Sequence, residues 1–496
     1  MKQMHYIEPC DRNQLSMASS MNDWVDPDHV VRLIDALVDQ IVKAQPDCFA
    51  NRGQQELGRK AYRPETLLKL YLYGYLNGIC SSRRLERECY RNLEVMWLLG
   101  QLRPDHKTIS NYRKDNKEAI RTVCLAFRNF LKDQKFIEGH TVVYDGTKIK
   151  ANASKELVSQ DGIAKRMNKL ETELDKYLNQ LQNNDIAEDL EEQISTLSEE
   201  YQVEPALLQK IAELQKQLET LRSQQAFLKT KGLKRYAPSD PDARLMKSRD
   251  GYIPGYNVQT GVDRKNKLIV VAEVTNQEND RKQLEPNVER TIEQTGIVPK
   301  VVAADKGYGD VNQIQTVEQK YEANQTQCVV PLQQTTQEVK DKAAGIAFTY
   351  HADEDQVICS EGRVLPCKAK NIKKRGETCD WYRGNCTGCP KKSLCTRSPI
   401  GRTVYLNQNH EWIQEYKSRM GDPSFKKRVK ERKTIVEHPF GTIKCMLGKI
   451  PLRLRGMSKS QIEIDLVTTA YNLKRLLALD TMENLLKRVQ TANWVG

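Results

Sequence analysis

No run of apolar residues in this 496-residue chain approaches the roughly 18 that a membrane-crossing helix needs. Hydrophobic residues make up 39% and charged residues 29%, with a mean hydropathy of −0.67, the balance of a water-soluble chain. The opening segment MKQMHYIEPCDRNQL lacks the apolar stretch of a secretory leader, so a cytoplasmic protein is expected. That expectation argues against a disulfide framework for the 13 cysteines, and their odd count agrees with it.

Positive charge is what the chain has in surplus: 78 Lys and Arg against 65 Asp and Glu, a formal net charge of +13. Such a surplus suits a polyanionic partner, because each cation set against a phosphate releases a condensed counterion. It suits equally a basic enzyme with no nucleic-acid role. The length calls for two or three domains.

Residues 1 to about 135 read as helices with short connections. Asp26-Pro27 is a helix start, Asp as cap and Pro at the first position. Arg63-Pro64 is another, leading into ETLLKLYLYGYL and stopped by Asn77-Gly78. SSRRLERECYRNLEVMWLLG is a third helical stretch, and a short helix and a longer amphipathic one follow it. This is either a helix-turn-helix-like DNA reader, with Lys107, Ser110, Asn111, Arg113 and Lys114 on its polar face, or a plain bundle with a solvated basic face.

The hydrophobic period then changes. Val142-Val143-Tyr144 is a short buried strand expected to end at Asp145. From about 160 to 231, Leu and Ile at helical spacing in a polar background predict an inserted hairpin or short coiled coil, interrupted at Asn183-Asn184-Asp185 and at Glu204-Pro205. Strand signals return in GYNVQTGVD and KLIVVAEVTN, and a helical stretch runs from about 281 to 295. Val301-Val302-Ala303 then leads into Asp305 and a Gly-rich turn. A cysteine-, Gly- and Lys-rich segment fills roughly 341 to 405. A basic helical region beyond it holds Glu437, with Pro439 either kinking that helix or opening a new one, and an amphipathic helix closes the core.

Asp145 and Asp305 share a context of apolar strand, acid, then a turn containing Gly. Two carboxylates at strand ends and a third from a helix make a hard-oxygen site suited to Mg²⁺, and two such ions can drive an in-line phosphoryl displacement. Each acid by itself reads as a turn former.

The segments YDGTKIKANAS, ADKGYGD and EHPFGTIK resemble the three catalytic blocks of the DDE transposases of bacterial insertion sequences. RPETLLKLYLYGYLNGICSSRRLERECYRNLEVMWLLGQLRPDHKTISNYRKDN resembles the N-terminal domain of one large group of them, and LRLRGMSKSQIEIDLVTTAYNLKRLL resembles their closing helix. The resemblance implies an α/β fold with an RNase H-like mixed-sheet catalytic core at 136–480 and a helical end-binding domain at 1–135. The inserted helical arm at 160–231 is read from its own periodicity, and the resemblance implies a small cysteine-rich insertion at 341–405.

By the same resemblance Asp145, Asp305 and Glu437 hold two Mg²⁺ (or Mn²⁺) ions, and Lys444, seven residues beyond Glu437, shares that acid's helix face to meet a phosphate. The family's Tyr and Arg ahead of the Glu are replaced by Lys430 and Lys433, with Arg432 adjacent. Arg432, Lys433 and Arg455 join Lys444 as expected phosphate contacts, and Lys107, Asn111 and Arg113 are the expected end-reading residues.

Six cysteines lie between Cys359 and Cys395. Cys386, Cys389 and Cys395 form a compact cluster, with Cys359 or Cys379 as a fourth ligand. The family's early Cys before a Gly turn matches Cys359, which makes the preferred zinc tetrad Cys359, Cys386, Cys389 and Cys395. Reduced thiols without metal are the alternative, and any zinc held by four sulfurs is structural.

The function implied is cleavage of DNA at the terminal inverted repeats of an element and joining to target DNA, by a homodimer or higher synaptic complex associated with the nucleoid. A metal-dependent nuclease that cuts without joining, or a transposase-derived binding protein, are the alternatives.

Overall fold

A computed structural model describes residues 20–49, 62–154, 156–192, 205–248, 251–333, 336–374, 377–450 and 452–494. Six helices come first: α1 (Val30–Ala44), α2 (Pro64–Leu76), α3 (Ser82–Arg91), α4 (Leu93–Leu98), α5 (His106–Asp115) and α6 (Lys117–Asp133). Helix α1 buries Val31, Ile34, Val38 and Ile41 along one stripe, the spacing of an amphipathic helix. It starts at Val30 with His29 as cap, three residues after the expected Asp26-Pro27 signal. Helix α2 is buried from Leu67 through Tyr75, so even Lys69 lies inside, where Asp35 and Asp39 each accept from it at 2.6 Å.

The chain then builds β1 (Thr141–Lys150), a two-residue strand β2 (Val158–Ser159), the arm helices α7 (Gln160–Glu192) and α8 (Pro205–Thr230), and β3 (Arg235–Tyr236), which pairs with β2. Helix α7 runs through Asn183-Asn184-Asp185 without the expected break. Glu204, half of the other expected interruption, lies outside the described residues, and Pro205 opens α8. The base of this arm has its own small core of Ile163, Leu221, Leu228 and Tyr236.

The main sheet follows: β4 (Arg244–Ser248), β5 (Gly251–Asp263), β6 (Ile269–Thr275), helix α9 (Leu284–Thr295), β7 (Val301–Ala304), helix α10 (Val311–Lys320) and β8 (Gln327–Val329). Strand β5 carries β4 along its first half and β6 along its second, and pairs antiparallel with β1 on its other side. Strands β1, β7 and β8 are parallel. Counted without β4, the order is third, second, first, fourth, fifth, with the first three antiparallel: the mixed sheet of an RNase H-like core.

Strand β6 is an edge, and its outward backbone groups need partners. Helix α15 (Met457–Leu477) supplies them. Asn472 bonds the N–H and C=O of Ile269 at 2.8 and 2.9 Å, and Gln461 bonds Val274 N–H and Ala272 C=O at 2.7 and 2.9 Å. This helix is buried on all sides from Ser460 to Leu473, between β6, α2 and α6, rather than presenting the polar face expected of an amphipathic helix. One hydrophobic core runs from the N-terminal helices through the sheet to Trp494.

Between sheet and closing helix come α11 (Thr336–Ala343), β9 (Phe348–His351), β10 (Gln356–Cys359), β11 (Val364–Lys374), β12 (Glu377–Arg383), α12 (Lys392–Cys395) and β13 (Thr403–Asn407). The cysteine-rich insertion is thus a five-stranded antiparallel sheet around Val357, Leu365 and Tyr382. Helices α13 (His410–Gly421) and α14 (Pro423–Leu447) follow, and α16 (Met482–Thr491) comes last. Helix α14 is continuous through buried Pro439, which settles the choice between a kinked helix and two helices for one helix. Among the described residues no helix is long and apolar enough to cross a membrane.

Candidate active site and metal centre

The parallel pairing of β1 with β7 ends at Tyr144 and Ala304, so Asp145 and Asp305 are the residues that immediately follow on the two neighbouring chains. Asp305 ends its strand as the reading of the sequence expects, and its carboxylate accepts from Gly307 N–H at 2.7 Å. Asp145 differs: β1 continues past it to Lys150, held by β5, so the acid sits mid-strand where its neighbour has stopped. Its carboxylate accepts from Gly146 N–H at 3.0 Å. Burial and the charge of Asp305 push the Asp145 carboxyl up to about 6, against the opposing pull of Arg432.

A further carboxylate whose charge reaches Asp145 is Asp280, from the loop after β6, a residue the sequence did not single out. Its Oδ1 accepts from Asn257 Nδ2 and Gln259 Nε2, each at 2.6 Å, and from Lys148 Nζ at 3.4 Å. Gln259 is held in turn by Asn287 and by the hydroxyl of Tyr308. The wholly buried Tyr308 sits among Asp280, Asp145 and Asp305, and burial together with those charges holds its hydroxyl well above the usual range. Two glycines make the room. A Cβ on Gly146 would lie 2.4 Å from Asp280 Oδ1, and one on Gly307 would lie 2.8 Å from Asp305 Oδ1 and 3.8 Å from Asp280 Oδ2.

Glu437 is not drawn into this group. It is exposed on α14 and faces Lys433 at 3.8 Å. The α14 residue whose charge acts on Asp145 is Arg432, about 140° around the helix from Glu437. Among the described residues no three His, Cys, Asp or Glu side chains are gathered tightly enough to hold a metal ion.

Of the expected DNA contacts, Lys107, Asn111, Lys433, Lys444 and Arg455 are exposed and Arg432 is half-buried. Arg113 is not available. It is 3% exposed, pairs with Glu463 of α15 at 2.9 Å, and donates to the Tyr75 hydroxyl at 3.0 Å. Its place on α5 faces the core, so the expectation that it reads DNA is wrong.

In the insertion, one cavity is lined by Cys359, Cys386, Cys389 and Cys395 together. Backbone N–H groups of Arg363 and Arg402 point at the sulfurs of Cys359 and Cys386, at 3.4 and 3.3 Å. Cys379, the other candidate for fourth ligand, lies on β12 opposite Asn407.

Comparison with known proteins follows the same division. Residues 19–115 match the family described as a transposase domain (DUF772), and residues 358–477 match the transposase DDE domain. Neither match reaches Asp145, Asp280 or Asp305. No curated protein matches the chain. Among solved structures it is similar to the piggyBac transposase synaptic complex with hairpin DNA, seen by cryo-EM, at 9% identity over 93% of this chain and 78% of that one, with a TM-score of 0.32. So loose a superposition carries no weight for the fold, which stands on its strand order. The chain's first helices and much of its last third are thus similar to transposase domains, the second of them a DDE domain.

Proposed function

We propose that the protein cuts DNA at the ends of an insertion sequence and joins the freed 3′-hydroxyls to target DNA, with divalent metal ions as cofactors. The observation that carries this reading is the adjacency of Asp145 and Asp305 where the parallel pairing of their strands ends, with the charge of Asp305 acting on Asp145. Carboxylate oxygens brought together in this way fit Mg²⁺ or Mn²⁺, hard cations that take oxygen ligands. When bound, two such ions supply the Lewis acidity that activates the attacking oxygen and stabilises the leaving one.

The chain's own residues do the rest. Asp145 and Asp305 hold the ions, and Glu437 is the family's third acid, brought in from α14 when DNA is bound. Arg432, lying toward Asp145, and the exposed Lys433, Lys444 and Arg455 hold phosphates near the acids. Lys107 and Asn111, exposed on α5, face the element's terminal inverted repeats. Two ends must be joined in one event, which calls for a homodimer or larger synaptic assembly. The four cysteines hold a structural zinc: they line one cavity, two of them meet backbone donors, and a closed four-sulfur site leaves no position for chemistry.

The test is incubation of the full chain with Mg²⁺ and DNA carrying the element's ends. Joined products are expected, lost on Asp145→Ala or Asp305→Ala while DNA binding persists. Hydrolysis without joining would reduce the reading to a nuclease, and normal cutting by Glu437→Ala would remove Glu437 from the site.

A further inference from the structure

We infer that helix α3 reads the base edges of the element's terminal repeats from the major groove, with Arg83, Arg84 and Arg87 as the reading side chains. The inference rests on the proposed transposase function and names the helix that gives it sequence preference. Helix α3, SRRLERECYR, carries four arginines and no lysine. At about 100° per residue, Arg83, Arg84, Arg87, Tyr90 and Arg91 fall within an arc of about 120°. All five are exposed. The opposite side, Leu85 and Cys89, is buried. Leu85 rests against Gly74 of α2, where an added Cβ would lie 2.6 Å from it.

The acids of the helix are drawn away from that arc. Glu88 is buried and accepts from Arg91 and Asn92, and Glu86 meets His106 of α5 at 3.1 Å. Among the described residues, Arg83, Arg84 and Arg87 make no ion pair and no side-chain hydrogen bond. Their placement works against the helix itself. Arg83 and Arg84 stand in the first turn, where the helix dipole favours acids and none is present. Arg83 with Arg87, and Arg87 with Arg91, are like charges four residues apart, which repel. A face that served solubility alone is better made from mixed signs. Arginine carries the planar fork that bonds guanine O6 and N7 together, the commonest specific contact in the major groove.

The surroundings of α3 fit the same partner. Arg103, exposed in the loop before α5, lies over the Tyr90 ring at 5.0 Å, so an aromatic plane and a further cation border the arginines. The turn that delivers α3 packs on the helix that carries Lys444. Gly78, at φ +72°, has no room for a Cβ there, which would stand 2.4 Å from the carbonyl oxygen of Met446. The same turn holds buried Cys80, which feels the charges of both Arg84 and Arg453, and Arg453 is exposed two residues before Arg455. The cations proposed to hold phosphates thus adjoin α3, and the roles divide: α14 and the loop before α15 position the duplex, and α3 reads it.

The test is binding of the full chain to two labelled duplexes, the terminal inverted repeat and a scrambled duplex of equal length and composition, followed by fluorescence anisotropy. Arg87→Ala should weaken binding to the terminal repeat by about tenfold or more, and binding to the scrambled duplex much less. Arg83→Ala combined with Arg84→Ala should act alike. Arg87→Lys keeps the charge without the fork, so it should recover binding to the scrambled duplex and leave the preference lost. Melting temperatures should hold or rise slightly, because these side chains have no partner in the fold to lose. Equal losses on both duplexes, or a preference fully rescued by Arg87→Lys, overturn the inference and leave α3 as a phosphate contact. If the unaltered chain prefers the terminal repeat and the α3 variants keep that preference, only the role of α3 falls. If the unaltered chain binds both duplexes equally, the proposed transposase function fails with it.

Discussion

Arg113 and Glu463 meet at 2.9 Å inside the protein, one from the helical N-terminal region and the other from the closing helix 350 positions on, each almost fully buried. The Glu463 carboxylate also accepts from the backbone N–H groups of Arg453 and Leu454, at 2.7 and 3.0 Å. The pair therefore fastens α5 to α15 and to the loop before α15. Removing one member of a buried pair strands the other, which costs roughly 3–5 kcal/mol. Arg113→Ala should lower unfolding free energy by about that much in urea titrations. The deficit should shrink as the pH falls, because burial already raises the Glu463 carboxyl and a lone Glu463 can take a proton. A variant with normal stability and impaired DNA binding would restore Arg113 to the DNA surface.

The fate of Arg113 shows where reading from sequence stops. Helical periodicity located α5 and its polar residues, but Arg113 falls on a different side of the helix from Lys107 and Asn111, and only the packed partner decides which side is inside. The same holds for α15, whose polar residues suggested a solvent face. Gln461, Glu463, Asp465 and Asn472 are buried because strand β6, Arg113 and Arg128 supply partners that no local pattern reveals. The apolar strand before each acid placed Asp145 and Asp305 at the sheet, and the resemblance of their segments singled them out; the compact spacing brought together Cys386, Cys389 and Cys395, and the resemblance added Cys359, which lines the same cavity. Asp280 was not singled out: in QENDRKQ it reads as a polar turn, and its meaning comes from Lys148, 132 positions away, and from two amides on β5.

Gly146 and Gly307 follow from the same geometry. At Gly146 an added methyl would stand 2.4 Å from Asp280 Oδ1 and 2.8 Å from Gln259 Nε2, atoms bonded to each other and unable to yield independently. Gly146→Ala should cost about 1–3 kcal/mol, the usual range for overpacking. It should weaken Mn²⁺ binding together with stability. Thermal melts and Mn²⁺ calorimetry on the one variant check both, and an unchanged affinity would mean that the cradle does not shape the metal site.

Asp145 lowers the stability of the metal-free protein. Its carboxyl is pushed up to about 6 in the fold, against an ordinary 3.8 in the unfolded chain. A raised folded value favours the fold only while the group is protonated, so this contribution is lost as pH rises from about 4 through 6. Asp145→Asn has no charge to lose. Without metal it should melt above the unaltered chain at pH 7.5, by on the order of 1–3 kcal/mol of stability, with the advantage vanishing near pH 4. Equal melting temperatures across that range would show that Asp145 is solvated like an ordinary surface acid.

The α14 cations should separate by role. Lys444 is exposed, so Lys444→Ala should weaken DNA binding evenly across sequences and reduce the slope of log affinity against log salt by about 1. Arg432→Ala should do the same and also act on the acids, because its charge pulls the Asp145 carboxyl down. Without it that carboxyl rises further, and the pH needed for half-maximal Mn²⁺ binding should move up. Salt-dependent binding isotherms and Mn²⁺ titrations at several pH values give the two readouts. A pH profile unmoved by Arg432→Ala would leave that side chain as a phosphate contact alone.

The insertion should depend on its metal for form rather than for chemistry. Its own core is small, Val357, Leu365 and Tyr382, and the segment carrying Cys386, Cys389 and, at the end of α12, Cys395 adds little apolar burial of its own. A four-sulfur zinc would tie that segment to Cys359 on β10 and contribute folding free energy directly. Purified protein should contain one zinc per chain, lost on Cys389→Ser. Protease should then cut within 384–402 first, while Mn²⁺ binding at the acid centre stays unchanged because that centre rests on a separate sheet. Metal analysis that finds no zinc in protein with intact activity would leave the four thiols as reduced lining of their cavity.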